Sequence, residues 1–226
     1  MAHQPTQSGA SSAPQAQTPN PGADASGFAL RPATRSDAGA IADLLLEGFG
    51  HEYGGWLHRR AGRRFIERIH TLPGRLYGLL VAVDSANRPI GVAGLRTREV
   101  HPRSDGLEER MLFEELGVGR ALLLDLRAAL TEPPMYQPRS HEAYIYSVAV
   151  TAAWRRRGVA SALLTALHDR ARSYGKTSVL LEVAANNQAA CRLYLHHGYV
   201  VVGRRRGLLG WLPLGAPTHL LMHKEL

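Results

Sequence analysis

Ser147-Val-Ala-Val-Thr-Ala-Ala-Trp-Arg-Arg-Arg-Gly-Val-Ala-Ser161 reads as the end of a buried strand, a short loop and the start of a helix. The helix is carried by Val159, Leu163, Leu167 and Ala171, which fall on one face at near four-residue spacing. Asp169, Arg170 and Arg172 fall on the other face, and Gly175 supplies the stop. A helix start leaves backbone N–H groups unpaired and carries partial positive charge. Gly158 lets a ligand approach the backbone closely. Arg155, Arg156 and Arg157 add full positive charges. Together these features make a cradle for a pyrophosphate. The Gly-Lys-Ser/Thr of a P-loop is missing, which argues against ATP hydrolysis.

The segments around this turn alternate strand and helix. Ala143–Val150 is a strand, Arg157–Tyr174 a helix and Ser178–Val183 a strand, a spacing that gives a parallel pair with a helical crossover. Ala189–His196 follows as a helix, then Tyr199–Arg204 and Thr218–Lys224 as strands. Upstream, Phe28–Pro32 alternates like a first strand, and Thr34 or Ser36 can cap the helix after it. Ile41, Leu44, Leu45 and Phe49 mark that helix's buried face. Arg59–His70 reads as a basic helix, and Tyr77–Asp84 and Pro89–Arg96 as an antiparallel hairpin. Leu107–Leu130 is apolar at helical spacing, one or two helices with a break near Gly117. The expected fold is therefore α/β (α+β): a mixed, mostly antiparallel sheet with a central parallel strand pair, flanked by helices. Gly117-Val-Gly119 lacks the preceding strand and third glycine of a dinucleotide fingerprint.

Composition narrows the function classes. A chain of 226 residues, 45% of them apolar, can bury one sizeable core without staples. Residues 1–27 are rich in Pro, Ser, Ala, Gln and Gly, which predicts a disordered tail before a domain spanning 28–226. That tail has no basic n-region or apolar run, and no stretch approaches the roughly 20 apolar residues of a membrane span. The expectation is cytoplasmic, with no membrane association. Cys191 is the one cysteine, so no intramolecular disulfide forms. No CxxC or HExxH occurs, so no metal site is expected. The net charge of +8 is compatible with nucleic acid or with an anionic cofactor. No nucleic-acid-binding motif accompanies it, so no nucleic-acid partner is expected.

Two stretches in order resemble the GCN5-related N-acetyltransferase (GNAT) superfamily. Arg155-Arg-Arg-Gly158-Val-Ala160 is similar to that family's Arg/Gln-x-x-Gly-x-Gly/Ala turn, and Asn187-Gln-Ala-Ala-Cys-Arg-Leu193-Tyr194-Leu-His-His-Gly198-Tyr199 to its later motif. The resemblance is tight from Tyr144 to Tyr199 and loose elsewhere. It implies acetyl-CoA as co-substrate and an amine acceptor, a small molecule or a protein. It implies that backbone N–H groups around Val148, Ala149 and Val150 hold the pantetheine arm and thioester carbonyl. The turn from Arg155 and Arg156 through Arg157, Gly158, Val159, Ala160 and Ser161 would hold the pyrophosphate. Asn187 would meet the pantetheine arm and Tyr194 would stand near the sulfur. Glu182, five residues before Asn187, matches a position of the branch that acetylates protein N-termini. Two departures set the chain apart from that branch: the helical insertion at about 106–140, and Gly207–Gly215 where the branch tends to carry tyrosines.

The chemistry accounts for these residue types. The attacking amine must be neutral, and a lysine-type amine with a pKa near about 10.4 costs about 4–5 kcal/mol to deprotonate at pH 7. A carboxylate such as Glu182 can take that proton, directly or through water. Strand-end N–H groups can hold the developing oxyanion, and the Tyr194 phenol can protonate the departing thiolate. Each residue also has a plainer reading. Tyr194 can be a packed aromatic, Glu182 a solvent-facing strand residue, and Asn187 a helix cap. Cys191 reads as a small packing residue and His196 and His197 as surface or packing histidines. His51 and Glu52 are weak candidates for shaping the acceptor site. The Ala121–Leu130 face and the Trp211 loop can cover the acceptor site or form a homodimer contact. A non-catalytic acyl-CoA-binding regulator of the same fold is the alternative to an N-acetyltransferase acting by direct transfer.

Overall fold

The computed structural model describes residues 27–49, 59–99, 106–131, 133, 135–207 and 218–226. The tail before Gly27, His51 and Glu52, the Trp211 loop, and Glu132 and Pro134 of the insertion lie outside the described residues. The elements are β1 (Phe28–Pro32), α1 (Ala38–Phe49), α2 (Arg59–His70), β2 (Leu79–Asp84), β3 (Pro89–Thr97), α3 (Leu107–Leu116) and α4 (Val118–Thr131). They continue with β4 (Glu142–Val150), α5 (Val159–Ser173), β5 (Ser178–Ala184), α6 (Gln188–His196), β6 (Val200–Arg205) and β7 (His219–Glu225). The strands form one sheet in the order β1-β2-β3-β4-β5-β7-β6. Every neighbouring pair is antiparallel except β4 and β5, which run parallel as the crossover spacing requires.

Both sheet faces are covered, so the middle strands are apolar on both sides. β2 shows the division: Leu80 and Ala82 pack with α5, while Val81 and Val83 pack with α1. On one face, Leu163, Leu164 and Leu167 of α5 are fully buried against Leu95, Ile145 and Leu181. On the other, Ile41, Leu44 and Leu45 of α1 and Ile66 of α2 close over Val81 and Val92. Burying each such side chain contributes about 1.5–3 kcal/mol. Before α1 the Asp37 carboxylate accepts from the Thr34 N–H and hydroxyl and pairs with Arg31, fixing the entry to the helix.

The insertion is a helical pair that breaks at Gly117, whose φ of 77° ends α3. Arg64 and Arg68 of α2 hold it through Glu114 and Glu115 of α3. Leu116 and Ala121 are buried, but Leu122, Leu123 and Leu126 are exposed. Helical spacing of apolar residues therefore marks the helix here, and its apolar stripe faces outward. The expected helix over Arg157–Tyr174 begins two residues later, because Arg156 and Gly158 take positive φ.

One irregularity shapes the site. Ser147 has a φ of 55°, and between the Val92–Ala149 and Gly94–Tyr146 pairs β4 carries one residue more than β3. This is a β-bulge, which bends its strand. Before it, Glu142, Ala143 and Tyr144 pair with Ser178, Val179 and Leu180; beyond it β4 and β5 no longer pair. The two strands part, and the space between them is the site.

Candidate active site

The turn after β4 presents open backbone donors. Gly158 stands at φ 82° as the cap of α5, and the first returning bond runs from the Ala162 N–H to the Gly158 carbonyl at 2.9 Å. The N–H groups of Val159, Ala160 and Ser161 have no partner among the described residues. A Cβ built on Gly158 meets nothing within 4 Å, so the space before the turn is clear. Three successive open donors, a helix start and the Arg156 and Arg157 charges fit a pyrophosphate. Arg157 lies over the Trp154 ring at 5.2 Å, and Trp154 packs edge-on against Phe28.

Arg155 is engaged elsewhere. Its Nε donates to the Val150 carbonyl at 3.0 Å, and its Nη2 pairs with Glu47 at 3.1 Å. Glu47, on α1, also accepts from the Ala152 N–H at 2.6 Å and the Thr151 hydroxyl at 3.0 Å. One carboxylate thus ties three groups of the loop to α1.

Between the parted strands lies a cavity of about 230 Å³, lined among others by Ser147, Val148, Glu182, Asn187, Tyr194 and His219. The Thr151 N–H donates to Ile90 of β3, so by strand alternation the Val150 N–H turns away from β3 toward the parted side. Ala149 packs against α1 on the opposite sheet face. Glu182 reaches the cavity and pairs with Arg205 of β6. Burial pushes its carboxyl above the ordinary range, while the Arg205 and Arg96 charges pull it back. Tyr194 is 6% exposed, and burial pushes its phenol well above the usual tyrosine range, so it is protonated at neutral pH. Asn187 caps α6 by accepting from the Ala190 N–H at 3.1 Å, and it also lines the cavity. Burial keeps Cys191 a thiol, its sulfur 3.9 Å from the Ala184 carbonyl. Among the described residues no cluster of three metal-ligating side chains occurs.

The sequence model of the acetyltransferase (GNAT) family matches residues 40–199. The chain belongs to the acetyltransferase (GNAT) family. A stretch of 64 residues is 39% identical to an uncharacterized N-acetyltransferase, YdgE, of Bacillus subtilis (strain 168). That match covers 28% of this chain and 41% of the length of the relative. Among solved structures, a Corynebacterium glutamicum protein described as histone acetyltransferase HPA2 and related acetyltransferase aligns at a TM-score of 0.58 and 24% identity, over 88% of this chain and 96% of its own. A GCN5-related N-acetyltransferase from Kribbella flavida aligns at 0.55 and 20% identity, over 90% and 100% of the two chains. At these identities the structures share the fold.

Three parts of the candidate site have no motif in the sequence. Glu47 sits over a hundred residues before the loop it holds, as one exposed-looking acid on an amphipathic helix. The bulge at Ser147 uses no glycine to announce itself. His219 lines the cavity from β7, and its Nδ1 is buried without a hydrogen-bond partner among the described residues. Burial, then the Arg205 charge, hold the His219 imidazole below its usual pKa and therefore neutral at pH 7.

Proposed function

We propose that the protein is an N-acetyltransferase that moves the acetyl group of acetyl-CoA directly to an amine acceptor, a small molecule or a peptide. The observations that carry this reading are the Gly158 turn on the loop that leaves β4, with N–H groups unpartnered among the described residues, and the cavity beside β4 that holds a carboxylate and a protonated phenol. Bound acetyl-CoA supplies a thioester whose acyl carbon accepts the amine nitrogen and whose sulfur leaves. The N–H groups of Val159, Ala160 and Ser161 would hold its pyrophosphate, and the Val150 N–H faces the side where its pantetheine arm would lie. Asn187 would contribute its remaining amide to that arm.

Glu182 takes the proton lost by the amine, directly or through one water. Its raised pKa makes it a stronger base than an exposed glutamate, and Arg205 keeps enough of it ionised to act. Tyr194 gives its proton to the departing sulfur, which leaves as the thiol. The amine proton and the tyrosine proton balance on regeneration through solvent. Cys191, held as a thiol and half-buried, has no part in the transfer.

Thiol release from acetyl-CoA across a panel of peptide α-amines, lysines, polyamines and small amines tests the reading. Release with at least one class, slowed by Glu182→Gln and Tyr194→Phe, is expected. Acetyl-CoA binding without release across the panel favours the non-catalytic regulator instead.

A further inference from the structure

A second cleft, of about 490 Å³, lies at the far end of α5 from the Gly158 turn. A helix of fifteen residues separates the two by about 22 Å, at about 1.5 Å per residue. Its walls are the turn between α2 and β2, the end of β1 and the last turn of α5. Its charged lining residues are Arg35 and Arg170, and no acid lines it. Arg35 is anchored through Nε and Nη2 to the Thr71 carbonyl, at 3.0 and 2.8 Å. Arg170 has no ion pair among the described residues, whereas Arg172 on the same helix pairs with Asp169. Nor is the Arg170 charge needed to close the helix. The Arg170 and Ala171 carbonyls already accept from the Tyr174 N–H, and the Arg172 carbonyl from Gly175.

The rest of the cleft is apolar or aromatic. Leu72, Pro73, Leu76 and the start of β2 supply the apolar lining, and Tyr77 and Tyr174 are 55% and 42% exposed. Burial, then the neighbouring Tyr77 hydroxyl, raise the Tyr174 pKa, so the two phenols stand side by side at the end of α5. The concave shape is fixed, because Gly78 stands at φ 85° with no room for a Cβ against the Leu95 carbonyl.

We infer that this cleft binds a small organic anion with a flat apolar body, an aromatic carboxylate being the simplest case. The guanidinium of Arg170 takes the carboxylate by charge-assisted hydrogen bonds, and Arg35, in the same lining, adds its charge. The apolar lining and the two phenols take the ring. The site is independent of acetyl-CoA binding, so its failure leaves the proposed reaction untouched.

The test is a titration of the full chain with 2-naphthoate, followed by amide NMR. The expected result is saturable shifts at Gly74, Gly78 and Tyr174, unchanged by saturating acetyl-CoA. Arg170→Gln, with its melting temperature checked against the parent, weakens binding at least fivefold, and Arg170→Lys weakens it less. The isosteric cation 2-naphthylmethylamine gives no saturable shift. Equal binding by Arg170→Gln or by the cation overturns the inference, as does competition by acetyl-CoA or the lack of shifts at these residues.

Discussion

Glu182 stands between two opposing influences, and the pH dependence of the reaction reads their balance. Burial raises its pKa, and the Arg205 charge lowers it. A base is active when ionised, so kcat/KM rises with pH through this group. Removing Arg205 removes a lowering influence, so Arg205→Gln moves that limb of the pH–rate profile to higher pH; an unmoved or lowered limb removes Glu182 from the role of base. Glu182→Gln is expected to lower kcat by about 10²–10⁴-fold, the usual worth of a positioned base, with little change in acetyl-CoA affinity. His219→Gln, at the neighbouring imidazole, leaves most of the rate if Glu182 carries the proton. Glu47 acts only through the loop it ties down. Glu47→Gln is expected to raise KM for acetyl-CoA about threefold to tenfold while kcat stays near the parent value, since one charge-assisted contact in a half-exposed setting is worth about 1 kcal/mol. A kcat effect as large as that of Glu182→Gln would place Glu47 in the chemistry and overturn its positioning role.

At the scale of elements, the site depends on β4 bending away from β5 at Ser147. Gly94, opposite the bulge, lies under the Tyr146 ring, and a Cβ there overlaps that ring. Gly94→Ala is therefore expected to destabilise the fold by about 1–3 kcal/mol, as overpacking does, and to lower activity by displacing a cavity wall. Urea unfolding alongside thiol-release rates checks both; an unchanged midpoint and rate contradict the packing described. The sequence makes α5 and its cradle legible because a four-residue apolar stripe, a glycine and three arginines share one stretch. The bulge leaves no such trace, since Ser147 falls where the β3–β4 register shifts and its left-handed φ is not a preference of serine. The α4 stripe shows the helix but not what covers it: Leu122, Leu123 and Leu126 repeat at helical spacing and face outward. Arg155 reads as part of the cradle, but its position is decided by Glu47, which only the tertiary fold brings near.

The described residues form one mixed sheet with helices on both faces; the family turn follows the parted strand β4, and the later motif lines the cavity through Asn187, Ala190 and Tyr194. Elsewhere in the core, His168 of α5 meets the Tyr199 hydroxyl at 2.8 Å, with Lys224, His197, Arg172 and Asp169 as its charged neighbours. Burial, followed by the Lys224 charge, lowers the His168 pKa to about 4. The unfolded chain then binds the proton more readily between about 6.5 and 4, so stability falls as pH drops through that window and levels off below it. His168→Gln is expected to make this slope in melting temperature shallower, the remainder coming from the half-buried imidazoles of His70, His197 and His219; an unchanged slope places the titration elsewhere. The central claim is that the Gly158 turn holds acetyl-CoA. Calorimetric titration of acetyl-CoA into the full chain and into Gly158→Trp tests it directly. The parent chain is expected to bind in the range of about 1 μM–1 mM typical of enzyme substrates, and the variant at least tenfold more weakly with its fold intact by circular dichroism. No binding by the parent, or equal binding by the folded variant, contradicts the account.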